Sequence, residues 1–482
     1  MLPTLDPTIW QVDLYLAVLL VVVLLADLIL PRAWRKEKVA ISAVGLLLGL
    51  VPVGLLWSAE PVTTFAGAYV LDPYSLFFKA LFLIGGAVVV LLSSDYFRNL
   101  PRGYGEYFFL LIVVVLGCSL LASANDLIVA YIAFEMISLS SYVLAGYLRF
   151  NRRSNEAGVK YFLYGAAASA TMLYGFSWVY GLNASTRLPG LFGGGLHAPT
   201  TAGAVGLALI LVGLGYKIAM APFQAWVPDV YEGAPTPVTA FLSVAPKLAG
   251  FAFLMRLLMS VGGNLLPNWP AALAVLAVLT MFSGNLMALG QTNLKRMLAY
   301  SSVAHAGYIL IGVVVFSAGS FNLAAVLYYL AAYLVMNLGA FAVAILVERN
   351  TGRELITDYG GLAKSQPALA LAMTVFLLSL IGIPPTAGFM GKLLIFGAAL
   401  NTPPWGWLAV VGIINAVISV YYYLNVVREM YFGPGTPHPL AVWPWGVRVA
   451  IGLLCLATLV LGVLPNLAMP VIPTLGQFLY GG

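Results

Sequence analysis

The sequence predicts an all-α polytopic membrane protein with about fourteen transmembrane helices. The 482 residues are 62% hydrophobic and only 8% charged, whereas about a quarter of the residues of a soluble domain are charged. Apolar segments of bilayer length recur along the whole chain, and Lys and Arg fall mainly in the connections between them. This composition excludes a soluble enzyme. The net charge of +6 therefore concerns membrane orientation and does not indicate nucleic-acid binding.

Each apolar segment is about as long as a bilayer is thick, or longer. The first has acidic residues at its start and no basic n-region, so we expect a retained helix and no cleaved signal peptide. We predict spans at residues 12–30, 39–56, 75–93, 107–124, 127–148, 157–181, 203–229, 236–259, 270–291, 297–316, 322–347, 367–399, 405–427 and 447–464.

The basic residues in the connecting loops and at the ends of the spans are divided very unevenly between the two sides of the membrane. One side carries sixteen Lys and Arg and the other carries only Arg187 and Arg256. Because cytoplasmic loops are enriched in Lys and Arg, we expect the first side to face the cytoplasm and both termini to lie on the opposite side. The sixteen residues are Arg32, Arg35, Lys36, Lys38, Arg98, Arg102, Arg149, Arg152, Arg153, Lys295, Arg296, Arg349, Arg353, Lys364, Arg428 and Arg448.

Four charged residues lie deep inside predicted spans: Glu135, Lys217, Lys247 and Lys392. A charge at the bilayer centre costs about 3 kcal/mol on insertion scales, so the four together cost on the order of 10 kcal/mol. A static Lys–Glu pair is the structural alternative, but one glutamate cannot neutralise three lysines. Lysines in a hydrated interior can take up and release protons as their neighbours move. The pattern therefore favours a proton relay.

Three further charges lie closer to the ends of their spans. Lys79 is one turn inside its helix, and we expect it to snorkel to the outer interface. Lys160 is close to the cytoplasmic end of its helix, where snorkelling and function are equally good interpretations. Asp27 lies near the basic loop at 32–38 and is expected to be solvated or paired there.

The histidines and cysteines contribute one candidate site residue. His305 is about nine residues inside a span and is flanked by hydroxyl side chains, which favours a functional position. His197 and His438 fall in loops. Cys118 and Cys455 lie in apolar runs without neighbouring ligands, and we expect buried free thiols and no metal site.

Two segments are too long for one straight crossing. Residues 203–234 would extend about 48 Å as a helix, and residues 367–399 present the same problem. Pro222 lies in the first segment, and Pro384 and Pro385 lie in the second; proline is where a helix breaks. Broken helices at matching places in two halves are typical of ion sites in transporters.

The two breaks are separated by about five helices, and an odd number of helices per repeat reverses the membrane orientation. We therefore predict an inverted repeat that relates spans four to eight to spans nine to thirteen. The predicted units are 1–106 for the first three spans, 107–260 and 261–432 for the two repeats, and 433–482 for the last span.

Several common energy-coupling motifs are absent from the sequence. There is no Walker A loop, no dinucleotide-binding GxGxxG between a strand and a helix, and no cysteine ligand set. We therefore expect the energy for transport to come from an ion gradient or from a partner protein.

Two stretches carry a family resemblance. PFQAWVPDVYEGAPTPVTAFLS (222–243), continuing into SVAPKLAG, and NLKRMLAYSSVAHAGYILIG (293–312) resemble the antiporter-like membrane subunits of respiratory complex I, the proton-translocating NADH:quinone oxidoreductase. This superfamily also contains the Mrp antiporters. The resemblance extends over essentially the whole chain, and it implies a fourteen-helix fold with two inverted five-helix repeats.

The resemblance also implies roles for six polar residues. They are Glu135 as the fifth-helix glutamate, Lys217 as the lysine of the input half-channel, Lys247 as the connecting lysine, Lys392 as the output residue, and Lys160 and His305 as supporting positions on a central polar axis. It implies no cofactor or metal in this chain, with NADH, FMN, iron–sulfur clusters and quinone held by partner subunits. The expected partners are other complex I membrane subunits, among them homologous antiporter-like ones, the peripheral NADH-oxidising arm indirectly, and lipids of the plasma membrane.

The resemblance is strongest to the N-type among the three homologous subunits. The M-type carries Glu at the position of Lys392, and the L-type continues into a long lateral helix after its last span. Many N-type relatives have His at the position of Gln224, where this sequence departs from the pattern. The alternatives are an L-type or M-type subunit, an Mrp-type cation/proton antiporter subunit, or a non-pumping structural subunit.

Overall fold

The computed structural model describes residues 9–31, 34–57, 60–97, 104–189, 191, 201–261, 269–434 and 443–472. In these ranges the chain is almost entirely helical. A short antiparallel hairpin of β1 (Val62–Thr64) and β2 (Tyr69–Leu71) precedes α4. The helices are α1 Gln11–Ile29, α2 Arg35–Leu48, α3 Leu50–Leu56, α4 Pro73–Tyr96, α5 Tyr104–Ala122, α6 Leu127–Ala145, α7 Arg152–Asn183, α8 Thr201–Ile218, α9 Val227–Gly233, α10 Thr236–Leu242, α11 Ala245–Val261, α12 Trp269–Leu289, α13 Leu294–Val315, α14 Ser320–Thr351, α15 Leu362–Ser365, α16 Pro367–Ile381, α17 Ala387–Leu400, α18 Gly406–Phe432 and α19 Trp445–Val463.

The polytopic membrane fold is confirmed. Among the described residues, twelve helical segments are long and apolar enough to cross a bilayer, with α2–α3 and α10–α11 each forming one segment. The predicted spans at 157–181 and 367–399 are not among the twelve. The first is the 32-residue α7, which begins with a charged stretch, and the second is divided into α16 and α17, which have 15 and 14 residues. The count of fourteen crossings therefore stays a prediction.

The helices differ in how they meet their surroundings. The segments α10–α11, α13 and α14 are buried almost completely within the protein, whereas α1, α18 and α19 present broad apolar faces outward. In a membrane protein an outward apolar face is suited to contact lipid, whereas helices that carry polar or ionisable side chains face the protein interior. The buried helices are the ones that carry Lys247, His305 and a row of tyrosines.

Both predicted helix breaks are present, and they resemble each other. Ala219, which follows α8, has φ of +61°, and Gly382, which follows α16, has φ of +90°. These residues are 163 positions apart (382 − 219), and the same offset separates Pro222 from Pro385 (385 − 222). The common offset supports the repeat, which stays a prediction. An additional interruption at residues 243–244, between α10 and α11, was not predicted.

The prediction that Lys79 snorkels to the interface is wrong. Its side chain is completely buried, and its Nζ lies 2.6 Å from Oδ2 of Asp13 and 2.8 Å from the hydroxyl of Tyr69. Ser119 donates a further hydrogen bond to the Asp13 carboxylate. The sequence could not show this pairing, because Asp13 lies on α1 and comes close to Lys79 of α4 only through the packing of the helices.

Two other charged residues near the membrane surfaces are paired. Asp27 accepts a hydrogen bond from Lys38 at 2.7 Å, as expected from its proximity to the basic loop. Arg256, which the sequence analysis assigned to the side opposite the basic loops, is a buried residue of α11. Its guanidinium binds both oxygens of Asp72 at 3.0 Å. Two-point pairing of this kind orients the partners as well as attracting them.

The loop histidines His197 and His438 lie outside the described residues.

Lys79→Met is expected to lower the free energy of unfolding by about 3–5 kcal/mol, because it leaves the Asp13 carboxylate buried without its cation. Thermal unfolding of the detergent-solubilised protein measures the loss. The double variant with Asp13→Asn, which removes both charges, should recover most of it. An unchanged unfolding midpoint for Lys79→Met would show that the pair does not stabilise the fold.

Candidate functional site

Three buried lysines lie beside the helix interruptions. Lys217 is in the last turn of α8, Lys247 is the third residue of α11, and Lys392 is in the second turn of α17. Their exposed fractions are 7%, 1% and 5%. Among the described residues, each donates its hydrogen bonds to hydroxyl or backbone carbonyl oxygens, and none lies within ion-pair distance of a carboxylate. The arrangement therefore differs from a static Lys–Glu brace.

Lys217 connects α8 to α6. Its ammonium donates to the hydroxyl of Ser138, and its place at the C-terminal end of α8 favours a positive charge through the helix dipole. Glu135 lies one turn before Ser138 on α6, close enough to interact electrostatically with Lys217, and its carboxylate accepts a hydrogen bond from Ser169. The structure thus brings Glu135 and Lys217 together on one side of the bundle.

Lys247 connects α11 to α13. Its Nζ donates to the carbonyl oxygen of Ser302 at 2.9 Å and to the hydroxyl of the same residue at 3.0 Å. Helices α8 and α11 approach each other closely one turn after this lysine. Gly250, one turn after Lys247, packs against α8, and a Cβ atom there would lie 2.7 Å from Cγ2 of Ile218.

His305 lies between Lys247 and Lys392 and interacts electrostatically with both. Its Nδ1 is 2.8 Å from the hydroxyl of Tyr329, and its Nε2 is 3.3 Å from the hydroxyl of Tyr423. A neutral imidazole donates through one nitrogen and accepts through the other. His305 can therefore pass a proton between two hydroxyl groups that come from α14 and α18.

Lys392 occupies the second helix break. Its Nζ donates to the carbonyl oxygens of Leu380 and Ile381, at 2.9 and 2.7 Å, and lies 4.7 Å from the ring centroid of Tyr308. These carbonyls end α16 and have no partner within their own helix. The break therefore supplies the acceptors that hold an ammonium inside the membrane.

Lys160 does not lie with the buried lysines. It is partly exposed in the third turn of α7, where its ammonium is 2.8 Å from both Asp229 and Glu156. Arg296 binds the other oxygen of Asp229 at 2.7 Å and Glu232 at 2.8 Å. These residues form an ion-pair network at the end of the bundle that carries the basic loops.

The prolines and Gln224 are within the breaks. Pro222 is in the segment between α8 and α9, and Pro384 and Pro385 are in the segment between α16 and α17. Oε1 of Gln224 is buried and has no hydrogen-bond partner in the described part of the chain.

Sequence reasoning missed most hydroxyl groups of the site. Ser138, Tyr329 and Tyr423 come from helices that are remote in sequence from the lysine or histidine they contact. Ser302 is the exception, because it is one turn before His305 in the sequence and could be recognised there as a neighbouring hydroxyl.

The fold and the row of buried lysines define an antiporter-like membrane protein. Residues 124–419 match the family described as NADH:quinone oxidoreductase/Mrp antiporter, transmembrane. A chain of the Mrp complex from Dietzia sp. has a TM-score of 0.83 at 23% identity, covering 98% of this chain and 97% of its own, a likeness that shows the fold alone.

More specific relatives come from respiratory complexes. A chain of Thermus thermophilus respiratory complex I, solved with bound aureothin, has a TM-score of 0.80 at 35% identity and covers 95% of this chain and 98% of its own. NADH-quinone oxidoreductase subunit N of Trichlorobacter lovleyi is 40% identical, covering 97% and 96% of the two chains. Subunit N 2 of Chloroherpeton thalassium is 44% identical, covering 87% and 84%. The chain belongs to the subunit N family of NADH-quinone oxidoreductases.

Proposed function

We propose that this chain translocates protons as membrane subunit N of an NADH:quinone oxidoreductase, through a relay of Glu135, Lys217, Lys247, His305 and Lys392. The observation that carries the proposal is that the three buried lysines are hydrogen-bonded to neutral oxygens. An ammonium buried without a counterion is costly, so each lysine is suited to hold its proton transiently.

The relay follows the order of the contacts. Lys217 is the input lysine of the first predicted repeat, residues 107–260. Glu135 lies beside Lys217 and modulates its charge. Lys247 connects it through Ser302 and His305 to Lys392, the output residue within 261–432. Lys160 supports the relay from the ion-pair network. The excess of Lys and Arg on one side supports a cytoplasmic input, with both termini on the opposite side.

The energy comes from quinone reduction elsewhere in the complex. NADH, FMN, iron–sulfur clusters and quinone are held by partner subunits, and this chain contacts other membrane-arm subunits and lipid. Support comes from the subunit N relatives and from the match to respiratory complex I.

Copurification and transport test the function together. The tagged chain is expected to purify with NADH-oxidising subunits. In proteoliposomes, NADH oxidation by quinone should drive a pH change that a fluorescent dye reports, at the same rate with and without sodium. A requirement for sodium, or purification without any NADH-oxidising subunit, would favour the Mrp-type alternative.

Gly382→Ala is expected to reduce quinone-coupled proton pumping about tenfold, since small misplacements of a reacting group have effects of this size or larger. The backbone of Gly382 has φ of +90°, and a Cβ atom would lie 3.0 Å from Cδ of Lys392. Gly397→Ala, on the same helix as Lys392, is the control because nothing lies within 4 Å of the added carbon. Equal pumping by the two variants would contradict the requirement for glycine at position 382.

A further inference from the structure

A polar cavity of about 660 Å³ opens at the end of the bundle that carries the basic loops. Three carboxylates line it. Glu232 is paired with Arg296 at 2.8 Å, and Glu354 with Lys295 at 3.1 Å. In the described part of the chain, no cation lies within ion-pair distance of Glu348. Its carboxylate instead accepts hydrogen bonds from the hydroxyls of Tyr96, at 2.7 Å, and Thr236. Glu348 is thus the cavity carboxylate whose neighbours leave it free to exchange a proton.

A seam of polar side chains leads inward from Glu348 along α14. Asn337 is 11 residues before Glu348, which is about three helical turns, and Tyr333 and Tyr329 follow at intervals of four. These four residues therefore share one face of the helix. The face begins at the cavity and ends at His305, which contacts Tyr329.

Helix α10 provides the opposite wall of this seam. Thr236, its first residue, contacts Glu348, and Ser243, which follows its last residue, accepts a hydrogen bond from Nδ2 of Asn337 at 2.6 Å. Thr239 lies between them and donates to the carbonyl oxygen of Tyr231 at 3.0 Å. Thr236, Thr239 and Ser243 are completely buried, so the seam is a polar path within the protein.

Two polar atoms at the inner end of the seam are buried without a hydrogen-bond partner among the described residues. They are the hydroxyl of Tyr231 and Oδ1 of Asn337. Buried polar groups are normally satisfied by protein or by water, so each of these atoms indicates a place that can bind water. Tyr231 is close enough to interact with Ser302, the residue that accepts both hydrogen bonds from Lys247.

We propose that the seam between α10 and α14 is a proton entry route from the basic-side cavity to Lys247, with Glu348 as the residue that collects the proton. The proposal rests on the relay function proposed above and adds an entry to it that is separate from Lys217. The Glu348 carboxylate takes a proton from cavity water and releases it to the hydroxyls of Thr236, Thr239 and Tyr231 and intervening water. Each hydroxyl accepts one proton and releases one. Ser302 delivers the last proton to the neutral amine of Lys247, which becomes an ammonium.

Substitutions of Glu348 in the intact complex test this route. Glu348→Gln keeps an acceptor for Tyr96 and Thr236 but cannot take up a proton, and it is expected to reduce proton pumping about tenfold or more. Glu348→Asp should retain most of the pumping. The matched control is Glu354→Gln, which removes a paired carboxylate from the same cavity and lies outside the ion-pair network of Lys160. Pumping is followed with a pH-sensitive dye in proteoliposomes, and NADH oxidation by an artificial acceptor reports the amount of assembled complex.

The outcomes separate the route from the relay. Normal pumping by Glu348→Gln, or equal losses in Glu348→Gln and Glu354→Gln, would overturn the route. If Glu348→Gln does not assemble, Thr236→Val and Thr236→Ser decide: the serine variant should pump and the valine variant should not, and equal rates would overturn the route. A normal Glu348→Gln beside an inactive Lys247→Met rejects this entry alone, whereas a normal Lys247→Met rejects the relay itself.

Discussion

Lys247→Met is expected to reduce NADH-driven proton pumping and the coupled quinone reduction about a hundredfold, the size of effect usual for a positioned acid–base group. Lys247 is 1% exposed and joins the two halves of the proposed relay through Ser302. Methionine matches its length and suits a buried apolar site, but it cannot bind a proton. Electron transfer from NADH to an artificial acceptor should be unchanged, because this chain carries no recognisable redox motif.

Lys364→Met is the matched control for this experiment. Lys364 lies exposed in the short helix α15, so the same exchange removes a lysine that has no contact with the buried row. Its pumping should equal that of the unmodified complex. A parallel loss of artificial-acceptor activity in the assembled Lys247→Met complex would assign Lys247 a structural role.

The buried lysines were predictable because hydropathy alone identifies a charge in an apolar run. The distance of Lys217, Lys247 and Lys392 from the ends of their predicted spans was enough to identify them. Two of the helix interruptions were predicted from segments too long for one crossing that contain proline. The break between α10 and α11 has no such signal. It lies in the sequence FLSVAPK, where Pro246 is in the first turn of α11, a position that a helix tolerates.

The partners of these charges could not be predicted, because they depend on which helices pack together. Lys79 and Arg256 were each assigned to a membrane surface, yet both are buried, where Lys79 pairs with Asp13 of α1 and Arg256 pairs with Asp72, the residue that caps α4. For the buried lysine Lys217, a carboxylate partner was predicted and the structure shows a neutral one. Glu135 was the expected acidic neighbour, and the direct partner of Lys217 is the hydroxyl of Ser138.

Substitution of Lys392 by Arg, Glu and Met distinguishes a proton carrier from a static anchor at the second break. Arginine can donate to the carbonyls of Leu380 and Ile381 but stays protonated. Glutamate can bind and release a proton and, when protonated, can donate to one of these carbonyls. Methionine can do neither. A relay therefore predicts that Lys392→Glu keeps pumping within about tenfold of normal, while Lys392→Arg and Lys392→Met lose about a hundredfold.

A static anchor predicts the reverse order, because its only task is to neutralise the end of α16. Arginine preserves a cation beside the C-terminal carbonyls, whereas an ionised glutamate there would be repelled by the helix dipole. Pumping in proteoliposomes, normalised to the assembled complex, ranks the three variants. Glutamate above arginine supports proton transfer at Lys392. Arginine at or above glutamate refutes it, since a group that never releases its proton cannot pass one on.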